Sequence, residues 1–214
     1  MTNNDDNKIA VVMVVYDQAR EVEEHLEKFL TLPFDGNYQV IVVDEASTDD
    51  TADVLKRIKA DHANLYTTFI PKSKVPNPSR LRLALSVGIK AAKSQRIVLA
   101  SINRPPTSFS WLQELSDSQA EIVMVYSNHR KSGVTWRKQE IASLDDAAAL
   151  ITKAERRSGH GHHGRWLKYQ RGLYDALAVD SRRVYDAIRL FDQTVSPWQL
   201  AMLRMKVAWQ NLFN

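Results

Sequence analysis

Tyr38-Gln39-Val40-Ile41-Val42-Val43-Asp44-Glu45-Ala46-Ser47-Thr48-Asp49-Asp50-Thr51 is the stretch on which the fold turns. Val40 to Val43 is an unbroken β-branched run without polar alternation, the pattern of a strand covered on both faces. The run stops at an acid. Ser47-Thr48-Asp49-Asp50 then offers side chains of the kind that cap helices, and Thr51 to Ala60 carries Ala52, Leu55 and Ile58 at helical spacing. A buried strand, a polar turn and an amphipathic helix in this order make half of a parallel β-α-β unit.

The same grammar extends in both directions. Upstream, Ile9 to Tyr16 is a second continuous apolar run, and Arg20 to Leu32 follows with Val22, Leu26, Phe29 and Leu30 on one helical face before Pro33. Asp35-Gly36-Asn37 marks the turn into Tyr38. Downstream, Leu65 to Ile70 reads as a strand and Pro71 to Pro78 as a loop. Arg82 to Ala92 reads as a helix through Leu83, Val87 and Ala91, and Arg96 to Ala100 as a fourth strand. Strands separated by helices predict an α/β fold with a mainly parallel central sheet flanked by helices. Such sheets bind ligands beyond the carboxyl ends of their strands, so the loops after Tyr16, Val43 and Ala100 are the expected site.

The second half is less regular. Trp111 to Leu115 begins a helix, Glu121 to Tyr126 reads as a strand, and Leu144 to Arg157 as a helix. Gly159 to Gly164 is a glycine-histidine loop, and Trp166 to Tyr185 is mixed. Ser196-Pro197 opens a last helix whose apolar stripe is Trp198, Met202, Met205, Trp209 and Leu212.

Composition narrows the classes. The 214 residues, 44% hydrophobic and 25% charged, suit one substantial globular domain. The absence of cysteine excludes disulfides, thiolate metal sites and cysteine nucleophiles. Met1 to Lys8 is polar, without the basic and apolar regions of a signal peptide, and Ile9 to Tyr16 is too short to cross a bilayer. The expectation is a soluble, cytoplasmic protein with no transmembrane segment, whose membrane contact is at most peripheral. A net charge of +4 permits phosphorylated ligands without demanding them.

Val43-Asp44-Glu45-Ala46-Ser47-Thr48-Asp49-Asp50-Thr51 closely resembles the signature of the family-2 glycosyltransferases, a strand ending in Asp-Asp-Gly-Ser-Thr-Asp-Gly-Thr. Val14-Val15-Tyr16-Asp17 stands where that family has Pro-Val-Tyr-Asn. Gly88-Ile89-Lys90-Ala91-Ala92-Lys93, Pro106 and Trp111-Leu112 continue the match in order. The resemblance implies a GT-A fold, with a nucleotide-sugar-binding half over 1–130 and a variable acceptor-side half over 131–214. It implies a nucleotide-diphosphate sugar donor, uridine-based (UDP-type), and a glycan or lipid-linked acceptor. Asp44 and Tyr16 are then expected to hold the nucleotide, with Asp17, Ser47, Ser101, Asn103 and Arg104 around it. Arg80 or Arg82 would meet the phosphates, and Ser47 and Thr48 would open a helix whose N-terminal amides face negative charge.

One motif departs from the family pattern. The fourth strand of the family delivers Asp-x-Asp, which holds a divalent cation (manganese or magnesium) against the diphosphate. Here Ser101-Ile102-Asn103 occupies those positions, Arg104 follows, and no acid lies between Arg96 and Trp111. A hard cation wants carboxylate oxygen, so either Arg104 takes over its charge or the metal chemistry is lost; no residue is assigned to metal. The family's late Glu-Asp motif corresponds roughly to Tyr185-Asp186, which makes Asp186 the candidate base for the acceptor hydroxyl.

The remaining features read more plainly. His160, His162 and His163 sit among arginines without nearby acids, which favours a loop over a metal centre. The basic, aromatic stretch from Arg156 to Tyr174 reads as core aromatics with a solvated face, so nucleic acid is not an expected partner. The C-terminal apolar stripe fits packing on its own domain or on a second subunit. The alternative function is that of a catalytically impaired relative that binds a nucleotide or a partner glycosyltransferase.

Overall fold

The computed structural model describes residues 7–72, 80–128, 135–146 and 176–188. The chain divides into two compact units, Met1–Asp117 and Ser118–Asn214.

The first unit is a layered α/β structure. Strands β1 (Asn7–Val15), β2 (Tyr38–Asp44), β3 (Leu65–Phe69) and β4 (Ser94–Ala100) lie in the order β3-β2-β1-β4, every neighbouring pair parallel. In β1 the side chains of Ile9 through Met13 and of Val15 have no exposed surface at all. That is why the run is apolar without alternation: helices cover both faces. The covering helices are α1 (Ala19–His25), α2 (Glu27–Leu30), α3 (Thr51–Asp61), α4 (Arg80–Ala91) and α5 (Trp111–Asp117).

Local chemistry explains the boundaries. Gly36, at φ +126°, makes the turn predicted at Asp35-Gly36-Asn37 with a backbone conformation that a side chain resists. The helix expected over Arg20 to Leu32 is interrupted at Leu26, whose amide bonds the Val22 carbonyl before α2 resumes. Its apolar spacing continues across the break because Val22, Leu26, Phe29 and Leu30 are all buried. Phe29 meets Trp111 of α5 edge-to-face at a centroid separation of 6.1 Å, so the Trp-Leu pair of the motif is core. Helix α4 starts two residues earlier than its apolar pattern suggests, bringing Arg80 into its first turn.

The second unit contains β5 (Ile122–Asn128), β6 (Thr135–Ile141) and β7 (Ala176–Asp180), with β5 antiparallel to both neighbours. The sequence reading missed β6 and β7. In β6, Arg137, Lys138, Gln139 and Glu140 hide the strand behind a charged composition. Most of the helix expected over 144–157, the histidine loop, the basic stretch and the C-terminal stripe lie outside the described residues. Among the described residues no helix is long and apolar enough to cross a membrane.

Candidate functional site

The register of the parallel strands brings the predicted residues of the first unit to one edge. Val15 is opposite Asp44 in the β1–β2 pair, and Val12 is opposite Leu99 in the β1–β4 pair. Tyr16 and Asp17 therefore leave β1 beside the end of β2, and Ser101 to Arg104 leave β4 on the other side of β1. The Glu45 amide, bonded to the Val15 carbonyl at 2.9 Å, extends the contact past the end of β2.

Asp44 is 7% exposed, a carboxylate at the lip of the core. Its Oδ1 accepts from the Ser47 amide at 2.9 Å and from the Ser47 hydroxyl at 2.6 Å. The Ser47 Oγ accepts in turn from the Asp17 amide at 3.0 Å. This relay fixes the Asp44 carboxylate in one orientation. Among the described residues no protein donor engages Oδ2, and that lone-pair surface is left for an outside donor.

The two loops are stitched together reciprocally. Asp17 Oδ1 accepts from the Thr48 amide at 2.6 Å, and Asp49 Oδ2 accepts from the Ala19 amide at 3.0 Å. Thr51 Oγ1 accepts from the Gln18 amide at 3.0 Å and donates to Asp49 Oδ1 at 2.5 Å. Burial raises the Asp49 carboxyl, but the hydrogen bonds from the Thr51 hydroxyl and the Ala19 and Thr51 amides outweigh it and hold its pKa below the ordinary carboxylate value. Two residues in this loop pair occupy left-handed backbone: Asp17 at φ +46° and Ala46 at φ +58°. Aspartate tolerates that region when its side chain bonds locally, whereas alanine is strained there.

These contacts correct one expectation. Ser47 and Thr48 do not open the helix: α3 begins at Thr51. Their amides are already taken by Asp44 and Asp17, and no phosphate can claim them without displacing an internal carboxylate.

Tyr16 is 56% exposed, its ring free to meet a planar ligand. The Asp17 charge, and a hydrogen bond to the same carboxylate, raise the Tyr16 hydroxyl above its ordinary pKa of 10.0. Arg80 is committed: its Nε bonds Glu45 Oε1 at 3.1 Å and its Nη2 bonds the Pro71 carbonyl at 3.0 Å, with both charged side chains half-buried. Arg82, one helical step on, is also half-buried.

At the end of β4, Ser101 is buried and accepts the Asn103 amide at 3.4 Å, and the Arg104 amide bonds the Ser101 carbonyl at 2.9 Å. The resulting tight turn places Ile102 in the core and Asn103 in solvent. The ring of His25, at the end of α1, holds the Ile102 carbonyl at 3.0 Å. A carbonyl only accepts, so His25 Nδ1 carries the proton. Among the described residues no group of three or more histidine or acidic side chains is placed to hold a metal ion.

Asp186 belongs to the second unit. It is exposed on a helical stretch over 184–188, 3.5 Å from the Arg183 Nε.

Sequence reading missed Glu45, His25, Asp49 and Thr51. Glu45, Asp49 and Thr51 had a signal, since they stand in the motif with Asp44; His25 meets a carbonyl 77 residues away and leaves no local trace.

Residues 10–100 match the family model described as "Glycosyl transferase family 2". No curated protein matches the chain in sequence. Among solved structures, residues 1–349 of S. aureus TarS align at 15% identity and TM-score 0.54, covering 84% of this chain and 49% of that one. The mannosyltransferase PcManGT from Pyrobaculum calidifontis, in complex with GDP-Man and Mn2+, aligns at 17% identity and TM-score 0.51, covering 84% and 46%. At such identities the likeness is one of fold, and the chain spans about half the length of the structures it matches.

Proposed function

We propose that the chain, whose residues 10–100 match the glycosyl transferase family 2 model, binds a uridine-type nucleotide-diphosphate sugar at the carboxyl ends of β1, β2 and β4 and transfers the sugar to a glycan or lipid-linked acceptor. The observation that carries this reading is the Asp44 carboxylate: buried, oriented through Oδ1 by Ser47, and open at Oδ2. A fixed acceptor atom at a strand end suits a base imide or a ribose hydroxyl, and the exposed Tyr16 ring beside it suits the base face. Arg80 or Arg82, both in the first turn of α4, and Arg104 after β4 are the cations assigned to the diphosphate. Asp186 is the base assigned to the acceptor hydroxyl, taking its proton as the nucleoside diphosphate departs.

The divalent cation that the fold family implies does not fit the residues present. Ser101 is turned into its own loop, Asn103 is a neutral amide, and the next side chain is a cation. A hard ion needs clustered carboxylate oxygens, and no step is routed through a metal. The same substitution favours a second reading, in which the chain binds the nucleotide, or a partner glycosyltransferase or second copy, without transferring sugar.

Calorimetric titration with UDP and GDP, with and without manganese, separates these. The expected result is UDP binding that manganese barely changes and that Asp44→Ala weakens about 10- to 100-fold, the value of a hydrogen bond to a charged group. UDP binding untouched by Asp44→Ala, or no binding to the wild type, would overturn the donor site. Binding with no sugar transferred would leave the second reading.

A further inference from the structure

We infer that His25 is a positioning residue for the donor diphosphate, acting through the turn that replaces the acidic motif at the end of β4. The inference rests on the nucleotide-sugar reading above.

Two of the three described bonds that shape this turn are internal to it: Asn103 amide to Ser101 Oγ, and Arg104 amide to Ser101 carbonyl. Neither ties the turn to the rest of the protein, which the buried Ile102 side chain and the bond from His25 do. The bond from His25 Nδ1 to the Ile102 carbonyl comes from 77 residues away and fixes the turn to α1. Helix α1 follows directly from the loop of Tyr16 and Asp17, and that loop is tied to the Asp44 loop through Thr48, Asp49 and Thr51. His25 thus links the end of β4 to the nucleoside-facing side of the site. A site clamped by a metal ion is organised by the ion; this turn has no acids to recruit one. Its side chains, Ser101, Asn103 and Arg104, meet a diphosphate only if the backbone is held in advance. The half-buried imidazole supplies the polar part of that hold, beside the buried Ile102 side chain.

The test compares UDP with uridine on wild type, His25→Ala and His25→Asn, with a urea midpoint recorded for each to establish folding. The Asn amide can place a donor where Nδ1 stands. In His25→Ala, UDP affinity is expected to fall about five-fold, as for one lost hydrogen bond, while uridine affinity holds and His25→Asn restores much of the loss. Equal losses for UDP and uridine, no loss, or no rescue would overturn the positioning role. Wild type that binds uridine as tightly as UDP would show that the turn meets no diphosphate. Wild type that binds neither would sink the nucleotide reading and this inference with it.

Discussion

Gly88→Ala tests how closely α4 sits on the sheet. A Cβ at residue 88 would lie 2.6 Å from Val12 Cγ1, 3.0 Å from Val43 Cγ2 and 3.7 Å from Ile41 Cγ2. Carbon atoms in contact prefer about 3.5–4.0 Å, so the first of these overlaps by about 1 Å. Neither valine can yield easily. Both are fully buried, their methyls are only two bonds from Cα, and β1 is paired on both edges. Overpacking costs about 1–3 kcal/mol, and an overlap this deep against methyls that cannot yield belongs at about 2–3 kcal/mol. Alanine opposes it by about 1 kcal/mol through helix propensity, the whole effect at an exposed helical glycine. The net expectation is a loss of about 1–2 kcal/mol, which lowers Tm by about 2–8 °C in a protein of this size. Urea and thermal unfolding followed by circular dichroism measure it. Val12→Ala also destabilises the chain by itself, yet the double variant should lose at least 0.5 kcal/mol less than the sum, since each change relieves the other (about 0.5–3 kcal/mol for contacting pairs). A neutral or stabilising Gly88→Ala, or strict additivity, would refute the close approach.

Two further outcomes follow from the loops. Ala46→Gly removes a side chain from left-handed backbone, a relief of about 1–2 kcal/mol against an entropic cost of about 0.5–1 kcal/mol; denaturant unfolding should show a net gain of about 0.5 kcal/mol, and a loss would mean that φ +58° carries no strain. The Asp49 carboxyl is held below its unfolded pKa, so the unfolded state binds more protons between the two values and stability rises with pH there. That contribution is complete above the ordinary carboxylate range and disappears as pH falls through the depressed value. Stability measured against pH should therefore show a shallower acid-side slope in Asp49→Asn, and an unchanged slope would refute the assignment.

Much of the first unit is legible in the sequence because parallel strands covered on both faces must be apolar throughout. Ile9 to Tyr16 and Tyr38 to Val43 could be little else, and Asp44 and Tyr16 stand out as the polar or amphipathic residues that end such runs. In the second unit β5 was readable as the strand from Glu121 to Tyr126, whereas β6 was hidden for the opposite reason. β6 carries Arg137, Lys138, Gln139 and Glu140 in succession, and its pairing with β5 depends on chain neighbours that no local pattern names. Helix phase was readable, but its interruption at Leu26 was not, because burial on one face continues across the break. In the site, the polar residues of the motif were found and their work misjudged. Ser47 and Thr48 look like a helix N-terminus, yet they serve two carboxylates, one of them on a loop 31 residues away. His25 gave no sign, since a lone histidine on a helix acquires its role only from the carbonyl that folding brings to it.

The central claim is that a nucleotide sits at the carboxyl ends of β1, β2 and β4. Backbone amide shifts of the isotope-labelled full chain, recorded as UDP is added, test it most directly. The largest changes are expected at Tyr16, Asp17, Glu45 and Ser47, with a second group from Ser101 to Arg104 that moves with UDP and not with uridine. Shifts confined to other parts of the chain, with these amides unmoved at saturation, would contradict it.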